Sequence, residues 1–176
     1  MTTHGSRIAL LVEDGFDDDE LQKIRDEVAA AGLSVVAVAP FAPREYTGRS
    51  GRVTVMSEEA AAQVRPQMFA AIVVPGGYAP DRLRMRHAVL DLIRAATAAS
   101  IPVGAIGHGA QVLISAAVIA GRTVTCWPSI AVDVKNAGGL YVDRPVVDDR
   151  GLITARKADD AAAFVSAVLG AIARSR

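Results

Sequence analysis

The sequence predicts an α/β fold, a mostly parallel sheet with helices on both faces. Short apolar runs alternate with amphipathic runs from end to end, the pattern of successive βαβ units. Two of the apolar runs pass straight into glycine turns, Pro75-Gly76-Gly77 and Gly107-His108-Gly109. The chain has 176 residues, 51% of them hydrophobic and 22% charged. That suits one domain with a large buried core and is too apolar for a disordered chain. No repeat or linker interrupts the pattern, so residues 1–176 read as a single domain, with 1–6 as a flexible tail.

Each element has its own reason. Residues 7–12 (RIALLV) read as a buried strand. Residues 17–31 place Leu21, Ile24 and Val28 at helical spacing, with acids in the first turn and Gly32 as the stop. Residues 33–39 form the next strand. The stretch 47–55 is polar, carries two glycines and alternates near its end, which predicts a hairpin or an edge strand. Ser57 is placed as the N-cap of a short helix that ends before Pro66. Residues 70–74 are a strand, 87–99 a helix and 102–106 a strand. Residues 111–120 are an apolar helix too short to span a bilayer. A short strand at 123–127 and a short helix at 130–137 follow. Residues 140–147 and 152–155 pair across the turn Asp148-Asp149-Arg150-Gly151. The closing helix, 159–173, carries Phe164, Val168 and Ile172 on one face.

Charge and cysteine usage exclude several functions. Nineteen basic residues balance nineteen acidic ones, which argues against a nucleic-acid partner and against a polybasic membrane contact. A single cysteine leaves no intrachain disulfide and no cysteine cage, and the three histidines are scattered. No metal or other cofactor is expected. Residues 1–7 lack the apolar core of a signal peptide, and no apolar stretch reaches the ~20 residues that cross a bilayer. The chain reads as cytoplasmic, with a small molecule as its substrate.

In open parallel sheets, ligands bind outside the carboxyl ends of the strands. That directs attention to the loops after Val12, Val74, Ile106, Trp127 and Ala155. The loop after Ile106 is the most informative. A turn this tight between strand and helix can hold a nucleophile on a strained elbow, with helix N–H groups behind it. Here the elbow position is Gly107, which has no side chain.

The run Ala105-Ile106-Gly107-His108-Gly109-Ala110-Gln111-Val112-Leu113-Ile114 resembles the A-I-C-H-G-P-Q-x-L-I signature of the ThiJ/PfpI (DJ-one/PfpI) superfamily. Residues 14–21 (DGFDDDEL) resemble its D-G-F-E-D-x-E-L, and 74–81 (VPGGYAPD) its V-P-G-G-x-x-P-E. Gly121-Arg122-Thr123-Val124-Thr125 is similar to G-R-x-V-T, and Ile153-Thr154-Ala155-Arg156 to I-T-S-R. The likeness runs from Ile8 to Ala167 and is nearest to the short PfpI-type branch.

The resemblance implies a flavodoxin-like three-layer sandwich, with a strand–elbow–helix turn at Gly107. It also implies a homodimer or larger ring with the site near the subunit boundary. By the same resemblance, Glu20 is the site glutamate and His108 the site histidine. Asp81 is the acid that orients His108 from a neighbouring subunit, one methylene shorter than the family's glutamate. Gly76 and Gly77 supply backbone donors, with Gly109 behind the elbow. Asp17 replaces a second family glutamate, Ala110 a proline, and Gly107 the cysteine.

Thiolate chemistry needs a sulfur at the elbow. Its absence argues against a cysteine peptidase, a glyoxalase or deglycase, and a cysteine-based peroxide sensor. Cys126 is a poor substitute. Family members carry a Tyr or His at the Trp127 position, facing the site, so strand alternation points Cys126 away from it. An inert buried thiol is the expectation there. Three explanations of Gly107 stay open: a branch that dropped the nucleophile and kept acid–base chemistry, a non-catalytic binding or scaffold member, and a deliberate substitution.

The residues that are kept favour acid–base work. Glu20 and His108 are the expected acid/base pair, with Asp17 as a further candidate. The rest of the run Asp17-Asp18-Asp19 reads as helix capping and solvated charge. Trp127 and Tyr78 are expected as pocket walls. Arg156 either binds an anionic substrate group or pairs with Asp159 or Asp160. The reaction class would be hydration, elimination or isomerisation; the family resemblance includes isonitrile hydratases. A PfpI-like hydrolase whose nucleophile was lost or replaced is the remaining alternative.

Overall fold

Strand β1 (Arg7–Leu11) lies inside a seven-stranded sheet and is buried on both faces. It pairs in parallel with β2 (Ser34–Ala39) on one side and with β6 (Ala71–Val74) on the other. Beyond β6 come β7 (Val103–Ile106) and β11 (Leu152–Ala155), both parallel, and then β10 (Val146–Asp149), which is antiparallel. The computed structural model describes residues 7–175. The flexible tail expected at 1–6 lies outside the described residues.

The chain steps one way along the sheet from β1 to β2 and the other way from β6 through β7 to β11. Parallel crossovers are right-handed, so the connecting helices must fall on opposite faces. Helix α1 (Asp18–Ala30) packs against α6 (Ala161–Arg174). On the other face, α3 (His87–Ala98) packs against β7 and against α4 (Ala110–Ser115). The result is the expected flavodoxin-like sandwich. The strand order reverses between β1 and β6, and the crevice outside the carboxyl ends there is the place such sheets offer a ligand.

Several local readings change. The stretch 47–55 is a hairpin: β3 (Glu45–Thr47) pairs antiparallel with β4 (Thr54–Met56). Ser57 is no helix cap. Its buried hydroxyl bonds the carbonyls of Phe41 and Arg44, and the chain continues as edge strand β5 (Glu59–Ala60) parallel to β2. A short 3-10 turn, Ala61–Gln63, is all that remains of the expected helix. The sequence reading has no helix directly after the Pro-Gly-Gly turn, where α2 (Ala79–Leu83) starts with Pro80 in its first turn.

The helix expected at 111–120 stops at Ser115. Arg94 of α3 donates to the Ser115 and Ala116 carbonyls, and Ala117 turns to φ +58°. Those carbonyls therefore find partners without another helical turn. The strand expected at 123–127 contracts to β8 (Thr123–Val124). After α5 (Ala131–Asn136), the run 140–147 divides. Its start, β9 (Leu140–Tyr141), pairs with β8 in a separate two-stranded sheet, and its end joins β10. Among the described residues, no helix is long and apolar enough to cross a membrane.

Candidate active site

Three strand ends build the floor of the site, and the hairpin and the loops after β8 and β11 complete its wall. The loop after β1 carries Asp17 and Glu20 into the start of α1, the loop after β6 is the Pro-Gly-Gly turn, and the loop after β7 is the elbow. The first two are stitched together: Asp17 N–H donates to the Gly76 carbonyl at 3.1 Å, and Tyr78 N–H donates to the Gly15 carbonyl at 2.7 Å. Gly77 sits in this seam at φ +83°, where a side chain would collide with the backbone of Gly15 to Asp17.

Glu20 is buried, with 5% of its surface exposed. Its Oε2 accepts the Gly76 N–H at 2.7 Å. Burial, reinforced by the negative charge of Asp17, pushes its carboxyl up from 4.5 to about 7. Near neutral pH it can therefore either give or take a proton. The Gly76 N–H, expected as an oxyanion donor, is occupied by this carboxyl. Gly77 is different: it lines the cavity, and its N–H makes no hydrogen bond among the described residues.

Gly107 keeps the left-handed elbow geometry at φ +61° although it has no side chain to present. A Cβ there would stand 2.9 Å from Glu20 Oε1. The missing side chain leaves the Glu20 carboxyl open to the space a nucleophile would fill. Gly109 acts by packing, because a Cβ on it would strike the Val74 carbonyl at the end of β6. It is a close-approach residue and not a wall of the cavity.

His108 is half-buried and stacks on Trp127, with ring centroids 5.8 Å apart and planes at 27°. Burial, with the nearby Arg49 charge, holds its pKa below 6.5, so the imidazole is neutral at pH 7. Asp17 caps α1: its Oδ1 accepts the Glu20 N–H at 3.0 Å. Its Oδ2 holds Arg49 Nη2 at 2.8 Å. The cleft is about 290 Å³, open to solvent on one side, and is walled by Glu20, Gly107, His108, Trp127, Arg49 and Lys157, among others.

Other sequence expectations land elsewhere. Tyr78 is 68% exposed, and the Arg49 guanidinium lies 5.9 Å from its ring centroid, so it stands outside the cavity wall. Arg156 is paired with Asp143 at 3.0 Å and with Asp160 at 3.3 Å, not with Asp159. It thus takes the pairing alternative, through Asp160, and does not line the cavity. Asp81 is exposed on α2 and does not reach the cavity of its own chain.

Asp18 corrects the reading of the acidic run. It is 2% exposed and accepts the N–H groups of Ser50, Arg52 and Val53 at 2.9 to 3.1 Å. It holds the hairpin loop that delivers Arg49 to the site. Sequence reasoning missed Arg49 and Lys157. A lone arginine in a polar hairpin and a lysine after a strand give no local signal.

Cys126 is fully buried, and burial, with the charge of Asp133, pushes its thiol up to about 12. Native alkylation with iodoacetamide is expected to be slow, and labelling should rise sharply on denaturation. Rapid native labelling would return Cys126 to consideration as a nucleophile. Among the described residues, no group of three or more His, Cys, Asp or Glu is placed to hold a metal ion.

Fold and site together define a class: a flavodoxin-like α/β protein whose cavity joins a buried glutamate to a strand–elbow–helix turn. The chain belongs to the DJ-1/PfpI family, whose model matches residues 6–171. It is 39% identical over 159 residues to protein/nucleic acid deglycase 2 of Escherichia coli, covering 90% of this chain and 92% of that one. It is 36% identical over 159 residues to a deglycase of Pyrococcus abyssi, covering 90% and 95%. A solved two-domain protein of Anabaena variabilis, with DJ-1/ThiJ/PfpI-like and ferritin-like domains, superposes with a TM-score of 0.93 at 31% identity. That match covers 96% of this chain and 48% of the other.

Proposed function

We propose that this chain is a thiol-free, cofactor-independent acid–base enzyme acting on a small molecule, of the hydratase, lyase or isomerase kind. One observation carries the reading. A buried carboxyl that titrates near neutrality, Glu20, faces the space left by Gly107 inside a cavity that also holds His108. Trp127 forms a wall of that cavity without filling it, which favours an enzyme over a scaffold.

Hydration illustrates the chemistry. Protonated Glu20 gives its proton to one end of a substrate π bond while neutral His108 takes one from the water that adds to the other end. A C–O bond and a new bond to hydrogen form as the π bond, the Glu20 O–H bond and a water O–H bond break. The proton on His108 then returns to Glu20 through solvent. The Gly77 N–H is available to developing negative charge. In the same reading the protein is a cytoplasmic homodimer, and Asp81 of a neighbouring copy orients His108.

The test is a screen of hydration, elimination and isomerisation substrates, run with the parent and with Glu20→Gln. Turnover that survives Glu20→Gln sinks the acid–base role.

The deglycase names of the relatives supply a second reading, which the absent elbow thiol weakens. Gly107→Cys separates the two. The new Cβ meets the movable end of Glu20, and the left-handed backbone costs about 1–2 kcal/mol, so the variant is expected to fold. A gain of glyoxalase or deglycase activity that the parent lacks is the expected result. Equal activity in parent and variant would show that this chain deglycates without the thiol.

A further inference from the structure

The charges of the cavity narrow the substrate class. Arg49 and Lys157 place two cations on its wall, and each has one carboxylate partner, Asp17 at 2.8 Å and Asp159 at 3.4 Å. A guanidinium carries five N–H donors. Asp17 engages Arg49 at Nη2, and Tyr78 lies against one side of it. Arg49 lines the same space as Glu20 and His108, the groups proposed to move protons. Gly77 adds its free N–H.

We infer that the cavity takes a small carboxylate, a monoanion held by Arg49 and Lys157 with its neighbouring carbon beside Glu20 and the open face of Gly107. For the reaction this rests on the proposed role of Glu20; for binding it rests on the two cations. A monoanion is favoured over phosphate because Asp17, Glu20 and Asp159 line the same space. A dianion would face three carboxyls against two cations. A volume of about 290 Å³ suits a molecule of a few carbons.

Trp127 is the only tryptophan of the chain and stands in the wall, so its indole N–H resonance and its fluorescence report on this cavity. The probes are lactate, its uncharged analogue lactamide, and inorganic phosphate. Lactate is expected to shift the Trp127 signal saturably, lactamide to bind about tenfold more weakly or worse, and phosphate to bind more weakly than lactate. Arg49→Gln should lose about tenfold or more of the lactate affinity. Arg49→Lys, which keeps a charge beside Asp17, should recover part of it. Glu20→Gln should still bind lactate, with similar affinity at pH 6 and more tightly at pH 8, where the native carboxyl is charged.

No saturable lactate shift, equal binding of lactate and lactamide, tighter phosphate binding, or an unchanged affinity in Arg49→Gln each overturns the inference. Lactate binding alongside an active Glu20→Gln variant would sink the acid–base reading and leave the carboxylate site standing.

Discussion

Glu20→Gln is expected to abolish turnover and, at the same time, to stabilise the protein at alkaline pH. The catalytic loss should be about 10²- to 10⁴-fold, the range for removing a general acid–base group. The stability gain follows from the raised pKa. Glu20 titrates at about 7 in the fold against 4.5 unfolded, so between those values the native state binds the extra proton. Stability is then greatest below about 4.5 and falls as pH rises through 7.

At about 1.4 kcal/mol per pH unit, the charged carboxyl costs on the order of 3 kcal/mol at pH 8. Glutamine removes that cost, and its carbonyl can still accept the Gly76 N–H that now bonds Oε2. Melting temperatures should therefore separate by several degrees at pH 8 and converge near pH 4. A difference that is the same at both pH values would mean that Glu20 is not held in its neutral form by burial.

Asp18→Ala is expected to be the most damaging change outside the core, at about 3 kcal/mol or more. Three backbone N–H groups, of Ser50, Arg52 and Val53, converge on this one carboxylate. Gly48 leaves room for it, since a Cβ there would collide with the carboxyl. Burial alone would raise the Asp18 pKa, but the bonds from Ser50 and Val53 outweigh it and hold the carboxyl below 3.8. Its contribution is present above that value and is lost as pH falls through the depressed folded pKa.

Asp18→Asn, which keeps one acceptor oxygen, should lose less. Amide exchange at Ser50, Arg52 and Val53 should accelerate in both variants. Lactate binding should weaken with them, because the same loop carries Arg49. Unchanged exchange at those three amides would mean that Asp18 does not hold the loop.

The two variants also mark where the sequence was readable. Glu20, His108, Asp17 and Gly77 lie beside strand ends in motifs that can be seen locally, and the fold brings them to one cavity. Arg49 lies far from all of them in sequence. Only the pairing of β3 with β4, and the grip of Asp18 on the hairpin loop, delivers it there. Gly76 shows the opposite error. Its N–H is where the motif placed it, but the Glu20 carboxyl already occupies it. Ser57 fails as a cap because its hydroxyl finds the Phe41 and Arg44 carbonyls across the hairpin, while Arg156 takes the foreseen pairing with Asp160 and adds Asp143, a partner no local pattern shows.

The sequence by itself determined the alternation of strands and helices, the strand-end loops where the candidate site lies, and the absence of a thiol at the elbow. Those follow from periodicity and from which atoms the chain possesses, and no packing can add a sulfur to Gly107. The tertiary structure alone decided which polar groups remain free to act. A hydrogen-bonding group is used up by whichever partner the fold brings near it. That assignment gives the Gly76 N–H to Glu20 and the Arg156 guanidinium to Asp143 and Asp160, and brings Arg49 to the cavity wall.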